Sequence, residues 1–256
     1  MGAAACAVVA LLLGGCGSAA PTGHSAAVEV VTDDWALGRV AGTVGGGHLA
    51  VVQVAPGAPP PHDPGALWLI SSASSAAYRT AASEAAASLD FGGNELVPAD
   101  LTDFAARLAA TLSRLVPTEA GAWRDGRLAV QTQMQAVADD AAGSLQACSR
   151  RSLVAGGPQL DGLAHLGDLT TVVVTAATPP GQAQAAVRAA GSAVFDVSGA
   201  PDTALRSAAA AVGAKVVTVP ALIASPPGAR ASTTYAGALE SDLTSLLGGL
   251  GCPLEQ

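Results

Sequence analysis

The amino-acid sequence predicts an α/β fold of two lobes with parallel sheets flanked by helices, joined by a single long helix. Short β-branched segments alternate with alanine-rich helical segments in both halves of the chain, which is typical of parallel βαβ units. Between the halves, residues 117–147 carry an apolar stripe at helical spacing. The chain of 256 residues, 50% of them hydrophobic, suffices for one globular unit or two small lobes.

The N-terminus predicts an exported protein, with a signal peptide over residues 1–15 and a tether over residues 16–26. The run ACAVVALLLGG is an apolar segment of signal-peptide length that ends in small residues. It leads into Leu13-Gly14-Gly15-Cys16, which resembles the lipobox of bacterial lipoproteins. The resemblance implies a lipid on Cys16 that anchors the protein to the outer face of the cell membrane. An ordinary secretory signal peptide followed by an incidental cysteine is the alternative.

The other cysteines fit an exported protein as well. Cys6 would be removed with the signal peptide and Cys16 would carry lipid, which leaves Cys148 and Cys252 as an even pair in an oxidising compartment. We predict a disulfide between these two residues, and two buried free thiols are the alternative.

Residues 27–116 are predicted as the N-terminal lobe. Residues 27–32 and 49–54 form strand candidates on either side of a short helix, so they make a right-handed βαβ unit. Residues 66–71 form a third strand candidate, with a helix over residues 75–89 behind it. A further helix, capped by Asp100, places five large apolar residues on one face: Leu101, Phe104, Leu108, Leu112 and Leu115.

Residues 117–147 are predicted as the linking helix, and residues 148–256 as the C-terminal lobe. A continuous helix over the linking segment would be about 45 Å long, which suits a strut between two lobes. Its apolar stripe consists of Val130, Met134, Val137, Ala141 and Leu145. The C-terminal lobe repeats the strand–helix alternation, with strand candidates at residues 152–156, 169–175, 192–197 and 214–219.

Two chemically active side chains follow predicted strands in different lobes. His62 comes after the second strand, and Asp196 lies at the end of a strand in the C-terminal lobe. Because ligands bind outside the carboxyl ends of parallel strands, both are predicted to lie at a cleft between the lobes. The alternatives are an exposed loop histidine and a carboxylate that caps the helix near Pro201. Asp34 is interpreted as the N-cap of the first helix.

Four longer segments carry a resemblance to a known family. They are VEVVTDDWALGRVAGTVGGGHLAVVQVAPGAPPPHDP, LQACSRRSLVAGGPQLDGLA, AVFDVSGAPDTALRSAAAAVGAKVVTVPAL and the closing LTSLLGGLGC. In their order and spacing they resemble the zinc- and manganese-binding solute-binding lipoproteins of ABC transporters. The resemblance implies two α/β lobes joined by one long helix, and a monomer that binds Zn²⁺ or Mn²⁺ in the cleft. It further implies delivery of the metal to an ABC permease, with no enzymatic activity.

The resemblance also implies a set of metal ligands, of which this chain keeps only a part. The family uses three histidines and one carboxylate, or two of each, and these groups suit Zn²⁺ and Mn²⁺. By position, His62 and Asp196 are kept, and Glu95 stands near the second histidine's place as a substitute. Gly157 and Val219-Pro220 replace the remaining ligands. Other candidates near the cleft are Asp33, Asp34, His48 and His165.

Two other function classes remain open at this point. A degenerate relative would keep the fold without metal and act as a binding or assembly protein at the cell surface. An exported hydrolase has less support, because the sequence contains no G-x-S-x-G, P-loop or H-E-x-x-H motif. Nucleic acid is not an expected partner, since the net charge is −8 and the sequence has no basic stripe.

Overall fold

The structure is a computed structural model that describes residues 28–55, 57–191, 193–197, 203–220, 222, 230 and 233–253. It contains two four-stranded sheets whose strands are all parallel, each flanked by helices, with a long helix between them. The predicted fold class is therefore confirmed. The signal peptide, the tether and Cys16 lie outside the described residues, so their assignments stay predictions.

The N-terminal lobe is built on a sheet with the strand order β2-β1-β3-β4. Its elements are β1 (Val28–Thr32), α1 (Trp35–Gly45), β2 (Leu49–Gln53), β3 (Leu67–Ser71), α2 (Ala76–Ser83), β4 (Ala87–Phe91) and α3 (Pro98–Leu115). The strand order reverses direction between β1 and β3, so the loops after these two strands diverge and open a crevice at the carboxyl edge.

The C-terminal lobe repeats this arrangement with the order β6-β5-β7-β8. Its elements are β5 (Ser152–Ala155), α5 (Asp161–Leu166), β6 (Thr170–Val173), α6 (Pro180–Ala190), β7 (Ala193–Val197), α7 (Thr203–Val212), β8 (Lys215–Val219) and α8 (Tyr235–Leu250). Both lobes thus have a switch point at the same place in the strand order. Among the described residues, no helix is both long and apolar enough to cross a membrane.

The linking helix α4 (Ala120–Gln146) spans 27 residues, and the five residues of its predicted stripe are buried. The largest apolar cluster runs through this helix from one lobe to the other, and includes Leu67, Met134 and Phe195. Gly126 lies so close to Val44 that a Cβ would be 2.2 Å from the Val44 carbonyl oxygen. The lobes therefore share a core along α4.

Two element boundaries differ from those that the sequence predicts. The single helix predicted over residues 75–89 ends at Ser83, and the following residues form β4 in parallel pairing with β3. The alanines of this segment favour a helix by local propensity. Pairing of β4 with β3 is a tertiary contact, and it overrides that local preference. The helix predicted to begin after Asp100 begins at Pro98, so Asp100 lies in its first turn, and Leu115 at its end is 48% exposed.

The predicted disulfide between Cys148 and Cys252 is present. It joins the residues that follow α4 and α8, which are 104 positions apart. A crosslink closing a loop of this length contributes on the order of 4 kcal/mol of stability by restricting the unfolded chain.

Candidate binding site between the lobes

Asp34 lies at the switch point of the N-terminal sheet, directly after β1 and fully buried. It caps α1 as predicted, since its Oδ1 accepts a hydrogen bond of 3.1 Å from the Leu37 N–H. Its other oxygen, Oδ2, is buried and has no hydrogen-bonding partner in the part of the chain that the structure describes. Capping the helix therefore uses only one of the two carboxyl oxygens, and the other can still accept a hydrogen bond or bind a cation.

Glu95 is the second buried acid of this site, in the connection from β4 to α3, with only 7% of its surface exposed. The preceding turn is fixed by the Asp100 carboxylate, which accepts a 2.8 Å hydrogen bond from the Asn94 N–H. The backbone oxygen of Glu95 accepts a hydrogen bond from the Tyr235 hydroxyl. Within the described ranges, its side-chain Oε1 is buried without a partner.

The carboxyl groups of Asp34 and Glu95 are near enough for each to shift the pKa of the other. Burial raises the pKa of Asp34 to about 7, and the nearby Glu95 charge adds to this, while the Leu37 N–H and the Ser71 hydroxyl oppose it. Burial also raises the pKa of Glu95, while its own backbone N–H and the neighbouring Asp34 carboxyl oppose this rise. Two neighbouring carboxyls in a buried site disfavour each other's ionisation, so the pair holds a proton more readily than two separate acids would.

Helix α8 brings two further acidic groups near this pair. Tyr235, in its first turn, is 4% exposed, and its pKa is raised well above the usual value by burial and by the carboxylates of Asp242, Glu95 and Asp34. Asp242 is 2% exposed, and burial raises its pKa to about 7. Seven residues separate Asp242 from Tyr235, so it lies about 10 Å further along the helix.

The three predicted ligands lie in different surroundings. His62 is exposed on the loop between β2 and β3. Asp196 is 1% exposed, and its Oδ2 accepts a 2.7 Å hydrogen bond from Nε of Arg206, a partner that the sequence prediction did not foresee. Glu95 lies at the cleft. Across the described residues, no three His, Cys, Asp or Glu side chains are grouped so that they could hold a metal ion.

Sequence reasoning interpreted Asp34 chiefly as an N-cap, named it only among the further candidates near the cleft, and overlooked Asp242. A signal for Asp242 existed in the segment YAGALESDLTSLLGGL, where it shares a helical face with Tyr235 and Gly249 at intervals of seven. Gly249 packs on Phe195, since an added Cβ would lie 2.7 Å from its ring. An acid on the core-facing side of an amphipathic helix is rare enough to mark it for attention.

Solved structures match this chain over most of its length, while no family model and no curated protein matches it. The laminin-binding protein Lbp of Streptococcus pyogenes has a TM-score of 0.73 at 16% identity, covering 87% of this chain and 98% of its own. The laminin binding protein Lmb of Streptococcus agalactiae has a TM-score of 0.72 at 17% identity, and the match covers 88% of this chain and 99% of Lmb. Lmb is described as a bifunctional protein with adhesin and metal transporting activity. A periplasmic metal binding protein from Candidatus Liberibacter asiaticus has a TM-score of 0.69 at 14% identity, and the match covers 87% of this chain and 99% of that protein. At these identities the likeness establishes the fold.

Proposed function

We propose that the protein is the solute-binding component of an ABC uptake system for a divalent metal ion, with its cargo site at the Asp34–Glu95 pair. It binds cargo and catalyses no reaction. Lipid on Cys16 would hold it at the outer face of the cell membrane, where a monomer would deliver the ion to a permease. The fold and the metal-binding names of the structural neighbours support this class of function.

The observation that carries the proposal is a pair of buried, neighbouring carboxyl groups at the switch point of the sheet, each with an oxygen that has no partner among the described residues. Like charges held together in a dry site require either a proton or a cation between them. A divalent ion would displace a proton held by the pair and bind the two buried oxygens, Asp34 Oδ2 and Glu95 Oε1, that have no partner among the described residues. The pair also lies where ligands bind in open parallel sheets, outside the carboxyl ends of the strands.

The donor atoms favour manganese over zinc. The side chains closest to the pair offer carboxylate and hydroxyl oxygens, from Asp34, Glu95 and Ser71. Oxygen donors suit Mn²⁺, whereas high-affinity zinc sites usually include imidazole or thiolate. Zn²⁺ would bind comparably only if an imidazole, such as that of His62, joined the site.

A second candidate function, a relative that has lost metal, is favoured by the Asp196–Arg206 ion pair. The guanidinium binds one oxygen, Oδ2, of a carboxylate that the family resemblance assigns to the metal, while Oδ1 has no partner among the described residues. In that case the proton shared by Asp34 and Glu95 would permanently replace a cation, and the protein would act as a binding or assembly protein at the cell surface.

Calorimetric titration of the full-length protein in detergent, after removal of metal with a chelator, distinguishes the two functions. We expect Mn²⁺ to bind more tightly than Zn²⁺ and Glu95→Gln to weaken Mn²⁺ binding at least tenfold, or about 1.4 kcal/mol. Asp242→Asn is the matched control, since it removes a carboxyl equally buried but outside the pair. Mn²⁺ at a hundred times its dissociation constant should also add about 2.7 kcal/mol of stability.

Three results would decide against the proposal. If neither metal binds at micromolar concentration, the protein is the metal-free relative. If Glu95→Gln binds Mn²⁺ as the wild type does, the pair is not the cargo site. If His62→Ala or Asp196→Asn abolishes binding while Glu95→Gln does not, the ligand set is the one that the family resemblance implies.

A further inference from the structure

The two lobes contribute different chemistry to the site between them. The N-terminal lobe supplies both carboxyl groups of the pair, Asp34 and Glu95. From the C-terminal lobe, the groups that contact the segments carrying these acids are a hydroxyl and two backbone carbonyls. The carboxylate at the edge of the C-terminal sheet, Asp196, is engaged by Arg206 on its own lobe.

Three hydrogen bonds between the lobes fall on the segments that carry the acid pair. The Ala36 N–H, two residues after Asp34, donates to the Leu222 carbonyl over 3.1 Å. The side-chain amide of Asn94 donates to the Gln159 carbonyl over 2.7 Å. The Tyr235 hydroxyl donates to the carbonyl of Glu95 itself.

Tyr235 differs from the other two contacts in being buried and in bringing a side chain from the C-terminal lobe. Among the described residues of that lobe, it is the Tyr235 hydroxyl that bonds directly to a residue of the pair. The ring is 4% exposed and belongs to the core that both lobes share. Separating the lobes would therefore break the bond to Glu95 and let water reach the carboxyls.

The backbone at Leu222 has an unusual conformation at another of these contacts between the lobes. Leu222 has φ of +56°, a left-handed conformation that a leucine rarely adopts. This conformation presents its carbonyl to the Ala36 N–H, in the first turn of α1 and two residues after the Asp34 cap. Unusual backbone geometry of this kind persists where surrounding contacts impose it, and it is common at ligand clamps.

We propose that Tyr235 is a positioning residue that latches the C-terminal lobe over a cargo site formed by the N-terminal lobe alone. The inference rests on the proposed function and adds how the bound ion is retained. The ion would first meet the carboxylates while the lobes are apart, and the latch would then close behind it. Breaking the latch should speed dissociation and leave association nearly unchanged, since association involves the open state.

Tyr235→Phe tests the latch, because phenylalanine keeps the ring packing and removes only the hydroxyl. The matched control is Tyr78→Phe. Tyr78 is also buried, and its hydroxyl donates to the carbonyls of Val31 over 2.8 Å and Leu69 over 3.0 Å, both within the N-terminal lobe. A general loss of stability would appear in both variants, and loss of a latch only in Tyr235→Phe.

Two readouts on the full-length protein in detergent separate the effects. The first is the rate of Mn²⁺ dissociation into excess chelator, which we expect to rise about fivefold to tenfold in Tyr235→Phe, as for the loss of one hydrogen bond. The second is hydrogen exchange at the Ala36 amide, which bonds across the lobes and reports their separation without metal. We expect it to accelerate in Tyr235→Phe and to match the wild type in Tyr78→Phe.

The outcomes also separate the latch from the proposed function. If Mn²⁺ binds and Tyr235→Phe changes neither rate, or if both variants change them equally, the latch is overturned. If the wild type binds no Mn²⁺, the proposed function fails. Hydrogen exchange at the Ala36 amide then decides alone whether Tyr235 holds the lobes together. Faster exchange confined to Tyr235→Phe then supports the latch, and unchanged exchange overturns it.

Discussion

In the N-terminal lobe, two carboxyl groups lie against each other where the sheet meets the cleft. In the C-terminal lobe, which has the same strand order, the carboxylate at that edge lies against an arginine. The first arrangement leaves a cation or a proton to be bound, and the second already has its counterion. The contrast teaches that a repeated fold need not repeat its chemistry, and it agrees with the proposal that the cargo site belongs to one lobe.

The largest effect expected from this contrast is a fall in stability as the pH rises. The folded protein keeps the Asp34 proton up to about pH 7, whereas the unfolded chain loses it near 3.8. Folding therefore takes up protons in this window, and a raised pKa of this size removes about 4 kcal/mol of stability between pH 4 and pH 7. Denaturant melts of metal-free protein at pH 5 and pH 8 should show about 2.7 kcal/mol of this loss, the part that falls between pH 5 and pH 7.

Asp34→Asn serves as the control for the pH effect, because asparagine caps a helix as well as aspartate does. The variant should be more stable than the wild type at pH 8, and its stability should depend less on pH. Asp242→Asn should reduce the pH dependence separately, since burial raises the pKa of Asp242 to about 7 as well. A wild type that is equally stable at both pH values would contradict the shared proton.

An intermediate effect is expected in the C-terminal lobe, where removing the partner of the carboxylate should lower the stability. Arg206→Met leaves Asp196 buried without its guanidinium, and we expect a loss of about 2 to 3 kcal/mol in denaturant melts at pH 7. This expected loss is smaller than the loss for a fully buried ion pair, because the Arg206 side chain is 51% exposed and water screens its charge. Adding Asp196→Asn should recover much of the loss. No recovery would mean that the arginine acts through packing alone.

The smallest effect is expected for His62→Ala. The residue is exposed on a loop, so the free energy of unfolding should change by less than about 0.5 kcal/mol. The same variant sharpens the comparison between the lobes. If the acid pair holds the ion, the Mn²⁺ affinity of His62→Ala should stay within about twofold of that of the wild type, as expected for a change at an exposed position. A large loss of affinity would assign His62 to the site.

The fold could be predicted from the sequence because its main signals are local. The buried stripe of α4 follows helical spacing, and most strands are runs of valine and other β-branched residues. Strand β4 escaped prediction because its alanine-rich approach favours a helix. Its pairing with β3 is a contact between segments that are distant along the chain.

The candidate site could be predicted only in part. Glu95 was identified by its position relative to a known family, and Asp34 by its capping pattern. Their contact joins two loops far apart in the sequence, so no local pattern reveals it. The same holds for the Asp196–Arg206 pair. Arg206 lies on the helix after β7, and only the packing of that helix brings its guanidinium to the carboxylate.

The most direct test of the acid pair is the number of protons released per Mn²⁺ ion bound. A pH indicator dye in weakly buffered protein at pH 6 would measure it. Because Asp34 and Glu95 share a proton in the absence of metal, binding should release about one proton per ion, and Glu95→Gln should abolish this release together with tight binding. Tight Mn²⁺ binding without proton release would contradict the account.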